Sequence, residues 1–173
     1  MDRGNVKSRE GLPVGERIKG WPTETREAAE AIISRYGWPH KATRGYLHWD
    51  LNAPWRWTTV FANGSVHEFP GRHIDVVKQA VGFRVPEDKI GLISKFSRSL
   101  RYDSAAEELV AFCGNEKMNL VWLNLAHDII RGAKTVEEAQ EAAGKMLHCI
   151  SIGWPDNYAA EFLFVTADDL LDY

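Results

Sequence analysis

The stretch His67-Glu68-Phe69-Pro70-Gly71-Arg72-His73-Ile74-Asp75 sets two imidazoles and a carboxylate around a Pro-Gly turn. Imidazole nitrogens and carboxylate oxygens are the donors of hydrolytic zinc and non-haem iron centres, which hold the ion on three protein ligands and keep a further position for water. His67, His73 and Asp75 are therefore both the candidate metal ligands and the candidate catalytic groups for acid-base work, and a divalent metal is the cofactor they imply. Their spacing matches none of the compact metal motifs, in which histidines stand four apart on one helix. A purely structural role also accounts for them: Asp75 would be the acid of a helical first turn, and His67 would bond a neighbouring backbone carbonyl.

Other residues suggest a ligand surface around that turn. Tyr46, Trp55, Trp57 and Phe61, interleaved with His48, Asp50 and Glu68, make a set of rings and polar groups suited to a flat or cationic ligand, although packing against a helix explains the rings equally well. Trp57, His48 and Arg72 are the ligand-binding candidates there. Asn119 joins them because it falls inside the apolar arc of a helix, where an unbonded amide costs about 1–3 kcal/mol, so it must bond backbone, side chain or ligand. Cys113 precedes Gly114-Asn115 at a helix start, where the helix dipole favours a thiolate, but a nucleophile also needs a histidine base and oxyanion donors. A small core residue is its ordinary role. His127 and Asp128 form no dyad, because adjacent helical residues diverge by about 100°.

Composition narrows the field. A net charge of -3 and a pI near 6.1 offer no general attraction to phosphate backbones or anionic lipid, so neither nucleic acid nor membrane is expected as a partner. Two cysteines without Cys-x-x-Cys spacing point to reduced thiols, and no apolar leader opens the sequence, so a cytoplasmic location is expected. There is no phosphate loop, no dinucleotide fingerprint, no Gly-x-Ser-x-Gly elbow and no His-Glu-x-x-His. What survives is a small-molecule-binding protein, an enzyme using acid-base or metal-assisted chemistry at a cleft of His, Asp and Trp. The alternative is a non-catalytic interaction protein, adaptor or regulator, whose tryptophans or acidic C-terminal segment meet a protein partner or a second copy of the chain.

The elements that must position these residues read as follows. A helix runs from Thr23 as N-cap to Tyr36, stopped by Gly37 with Pro39 beyond. Arg44 to Asp50, Trp55 to Ala62 and Ser65 to Phe69 read as strands, the last two joined by Asn63-Gly64, the strongest short hairpin signal. That turn makes Val60 face His67, and the loop Leu51 to Pro54 sets His48 opposite Trp57. His48 would then lie on one face with Tyr46, Asp50, Trp55, Trp57, Phe61 and Glu68, and His67 on the other with Leu47, Trp49, Arg56, Val60 and Phe69. Helices are expected near Ile74 to Val81 and Pro86 to Phe96. A second hairpin follows, Ser97 to Tyr102 with Glu108 to Cys113, then helices over Asn115 to Arg131 and Val136 to Ile150, the latter opened by a Thr135/Glu138 capping box.

Strands in hairpins between helices argue α+β: an antiparallel sheet of about five strands in two hairpin units against four to five helices. With 45% of 173 residues hydrophobic, one domain over 21–152 is expected. Residues 1–20 read as a flexible arm. Residues 153–173 read as an acidic segment forming an added strand or a tail.

Overall fold

In a computed structural model, which describes residues 13–68 and 71–169, the chain is α+β. Its elements in order are α1 (Val14–Ile18), α2 (Thr23–Tyr36), β1 (Lys41–Ala42), β2 (Tyr46–Asp50), β3 (Trp57–His67), β4 (His73–Gly82), α3 (Glu87–Phe96), β5 (Leu100–Asp103), β6 (Glu108–Cys113), α4 (Glu116–Ile130) and α5 (Val136–Ser151). The strands form a six-stranded sheet in the order β1-β2-β3-β4-β6-β5, every neighbour antiparallel. No helix of the described residues is long and apolar enough to cross a membrane.

The helices form where local chemistry demands. In α2, Thr25, Ala28, Ala29 and Ile32 bury one stripe, and Gly37 ends the helix at φ 79° with its N–H on the Ile33 carbonyl. Asn115 caps α4 by accepting the Met118 N–H, and the Thr135/Glu138 capping box opens α5. Asp103 Oδ1 accepts from the N–H groups of Ala105 and Ala106 and so shapes the β5–β6 turn.

Leu47, Trp49, Val60, Val77, Leu109 and Ala111 are buried in two apolar clusters. One is completed by α1 and α2, the other by α3, α4 and α5. The alternating residues Tyr46, His48, Trp57, Phe61, Lys78 and Phe112 are only half-buried. Val14 and Ile18, within the arm expected to be flexible, are buried against α2 together with Trp21; residues 1–12 of that arm lie outside the described residues. The acidic segment from Gly153 to Asp169 holds a short 3-10 turn at Asn157–Ala159, and its described residues join no strand of the sheet. It packs along α4, where Asn124 bonds the Tyr158 and Glu161 carbonyls and the Leu163 N–H.

Three expectations about the sheet are corrected. Asn63-Gly64 is no hairpin: β3 runs straight through it, and four of its residues, Phe61 to Gly64, stand opposite the single Val76 between the pairs Val60↔Val77 and Ser65↔Asp75. Gly64 is not in the left-handed region. It is required because any Cβ there would overlap the Asp75 carbonyl and the Ile74 and Val76 side chains. Second, Ile74 to Val81 is strand, not helix, since it lies centrally between β3 and β6 and Val76, Val77 and Val81 are all buried.

Third, the register of the first hairpin differs. His48 faces Thr59 and Asp50 faces Trp57, because the loop is closed by the Leu51 N–H on the Arg56 carbonyl and excludes Trp55 from the strand. A slip of two preserves the faces of β2 relative to Trp57. The register break between Val60 and Ser65 leaves His67, opposite His73, on the side of Asp75 and Val77 and therefore of Val60, the face expected for it.

Gly64→Ala is expected to lower stability by about 1–3 kcal/mol through overpacking, whereas Asn63→Ala, at an exposed position, stays within roughly 0.5 kcal/mol. Urea midpoints of the two variants against the native chain measure both.

Candidate functional site

Two neighbouring cross-strand pairs build the site. His67 ends β3 directly opposite His73, the first residue of β4, and Asp75 stands two positions along β4 opposite Ser65. Residues two apart on a strand share a side, so the hairpin end brings both imidazoles and the carboxylate together. One donor atom from each of the three lies within 4.8 Å of the others. Asp75 Oδ2 is 3.3 Å from His67 Nδ1, and its Oδ1 is 3.0 Å from His73 Nε2, with the two rings 5.2 Å apart.

The second contacts of these groups decide what they can do. His73 Nδ1 lies 2.7 Å from the Gly71 carbonyl and must donate to it, which turns Nε2 toward Asp75. Asp75 is only 7% exposed, yet its Oδ1 makes no aligned hydrogen bond; the imidazole beside it is close but off axis. The neighbouring carboxylate first, and the Cys113 thiol second, push the His73 pKa up to about 10 against the opposing effect of burial.

Ligand bonds of about 2.0–2.2 Å to nitrogen and oxygen put neighbouring donors of a tetrahedral zinc about 3.3 Å apart. The 3.0 and 3.3 Å separations, each to a different Asp75 oxygen, are close to that edge, and one donor atom from each of the three lies within 4.8 Å of the others. Two imidazoles and one carboxylate, with His73 held by a backbone carbonyl behind it, form the donor set of catalytic zinc and of non-haem iron.

Around this cluster lie two open clefts. One, of about 700 Å3, runs between α2 and the start of α4; His73 and Arg72 reach it together with Glu24, Glu27 and Met118. His67 borders another, of about 670 Å3, beside Ser97 and Arg98. Arg72 is thus next to the cluster.

The other ligand-binding candidates sit elsewhere. Trp57 donates its indole N–H to Glu108 and stacks on His48, whose own nitrogens face Thr59 Oγ1 at 2.8 Å and Asp50 at 3.1 Å. Asn119 is fully buried and donates to the Val77 carbonyl and to Gln79 Oε1.

Sequence reasoning missed the reach of Cys113. Its Sγ lies 3.3 Å from His73 Nε2 and 3.8 Å from Met118 Sδ. A nucleophilic relay needs thiol and orienting acceptor on opposite ring nitrogens. Here thiol and carboxylate share Nε2 while Nδ1 faces a carbonyl, and the thiol is wholly buried, so the geometry favours a supporting role for Cys113.

Also missed was the buried Glu116, which accepts from Arg35, Tyr36, Trp55 and Gln79. An acid in a helical first turn looks unremarkable in sequence, and its partners on α2 stand 80 and 81 residues away.

Because folding raises the His73 pKa above its ordinary 6.5, the imidazolium–carboxylate contact contributes fully below about pH 6.5 and is lost as pH rises toward 10. Urea midpoints between pH 6 and 10 are expected to fall for the native chain, with a visibly flatter profile for His73→Gln. No family model matches the chain, and neither the curated proteins nor the solved structures searched contain a match.

Proposed function

We propose that the chain binds a divalent transition metal through His67 Nδ1, His73 Nε2 and Asp75, and uses it on a small molecule seated in the adjoining cleft. The observation that carries this reading is Asp75, a buried carboxylate whose Oδ1 lacks an aligned donor while two imidazole nitrogens converge on the same space. A bound divalent ion would polarise a substrate oxygen and lower the pKa of a bound water toward neutrality.

The chain's own groups supply the rest. Gly71 holds the His73 ring and keeps Nε2 free to ligate, Asp75 offsets the cation's charge, and Arg72 at the cleft mouth offers a guanidinium to an anionic group of the ligand. Val66, Ile74 and Val76 along the cleft give an apolar body something to lie against. Two free thiols suit a reducing compartment, so the reading places the protein in the cytoplasm.

Dialysis against zinc, manganese or ferrous iron, followed by elemental analysis, is expected to leave one metal per chain. Asp75→Asn and His67→Gln are expected to weaken binding by on the order of 100-fold, the upper end of what even outer-shell changes cost, with unchanged far-ultraviolet circular dichroism. Native protein that retains no stoichiometric metal would defeat the proposal.

A second reading, self-association, is favoured by the side chains beyond α5, where Trp154 is 67% and Ile152 53% exposed. If these residues meet a second copy, Trp154→Ser should abolish a concentration-dependent rise in mass measured by light scattering. A native chain of constant monomeric mass would reject it.

A further inference from the structure

The half-exposed rings of the sheet already serve cations of the chain itself. Lys78 Nζ lies 5.8 Å from the Trp57 ring centre and Lys41 Nζ 5.5 Å from that of Tyr46. A different group of rings encloses space instead. Beside the loop before β3 lies a cavity of about 270 Å3, walled by Trp55, Phe162 and Phe164. Glu116 forms its inner edge, with Arg35, Glu161 and Asp169 around it.

The walls are fixed before any ligand arrives. The Trp55 indole N–H is shared between Glu116 Oε2 at 2.9 Å and the Tyr36 hydroxyl at 3.1 Å, which sets the plane of the ring. Phe162 meets that ring edge-on at 4.9 Å, and Phe164 follows at 5.1 Å from Phe162 while stacking on His127 at 4.7 Å. The segment carrying both phenylalanines is held by Asn124 and by the Arg56–Asp168 ion pair. Such pre-ordering removes much of the entropy that a flexible loop loses on binding.

Charge then selects the ligand. Three carboxylates against one guanidinium leave the lining two charges negative. Arg35 already neutralises Glu116, so the net negative charge of the lining is that of the exposed Glu161 and Asp169, the latter with its Oδ2 also accepting from the Thr166 N–H and hydroxyl. Aromatic walls with carboxylates at the opening attract cations through the ring quadrupole, and most strongly cations that shed water easily. The volume lies just below the usual range for drug-sized ligands.

We infer that this cavity is a binding site for a small organic cation of the quaternary or alkylammonium class, with Trp55, Phe162 and Phe164 as its aromatic walls and Glu161 and Asp169 as its counter-charges. The inference stands on residues separate from the proposed metal ligands, so either can fail alone.

Isothermal titration of the full chain with choline, with tetramethylammonium and with 3,3-dimethyl-1-butanol, the uncharged carbon counterpart of choline, tests it. Both cations are expected to bind, and the uncharged alcohol about tenfold or more weaker, the difference a desolvated cation–ring contact supplies. Phe162→Leu removes a ring and keeps an apolar wall. Glu161→Gln removes a charge at a surface position where only the backbone is bonded, so it leaves folding intact. Each is expected to weaken choline binding several-fold. Absence of cation binding, equal binding of the alcohol, or native affinity in both variants would overturn the assignment.

Discussion

One buried carboxylate ties the two halves of the core together. Glu116 sits in the first turn of α4 and accepts from Tyr36 at 2.9 Å, Trp55 at 2.9 Å, Gln79 at 2.8 Å and Arg35. These donors come from α2, from the loop before β3 and from β4, so a single group links the helices of both apolar clusters to the sheet. Arg35 is half exposed and its ion pair is correspondingly screened. The three neutral donors matter more, because removing the acceptor would strand them in a region with little water, at about 1–3 kcal/mol for each unpaired group. Burial and the Glu116 carboxylate together raise the Tyr36 hydroxyl pKa well above its usual value, so it remains a donor across the physiological range.

From that anchor the geometry of the hairpin end follows. Gln79 donates to Glu116 and accepts from Asn119, and Asn119 also takes the Val77 carbonyl, so β4 is fastened to α4 at two levels. Fixing α4 fixes the short connection Cys113-Gly114-Asn115, which holds the Cys113 thiol against His73. Gly114 permits this closeness, since a Cβ there would press on the Ile74 carbonyl at 3.2 Å. Two glycines thus flank the cluster for one reason, Gly64 from β3 and Gly114 from the α4 side.

Much of this was legible from sequence wherever one segment decides its own conformation. The α2 stop at Gly37, the capping box of α5, the Asn115 cap and the second hairpin are local choices, and the structure has them within a few residues of expectation. Asn63-Gly64 misled because the dipeptide that favours a tight turn also suits a strand crossed closely by its neighbour, and only the neighbour distinguishes the two. Ile74 to Val81 misled for a related reason. Its central position in the sheet buries both sides and erases the alternation that marks a strand.

The residue types of the site were visible; their convergence depends on the pairing of His67 with His73, which the expected hairpin and helix would not have produced. Trp55 was read onto the sheet, and a closed loop withdrew it into the core beside a glutamate 61 positions away. No local pattern carries that contact.

Comparison of the buried acids argues for what the hairpin end does. Glu116 is saturated by four donors. Asp128, on α4, is saturated too: Lys134 Nζ at 2.8 Å, the Tyr158 hydroxyl at 2.6 Å and Arg131 Nε at 3.2 Å meet its oxygens. Both therefore behave as structural acids, whose desolvation is offset by directed hydrogen bonds. Asp75 is buried to a similar degree, yet it faces two ring nitrogens off axis, one of them orientated by a carbonyl behind its ring. A fold that satisfies its other buried carboxylates so fully leaves this one facing two ring nitrogens at 3.0 and 3.3 Å without an aligned donor on Oδ1, and that contrast is what supports the proposed metal site at the end of β3 and β4.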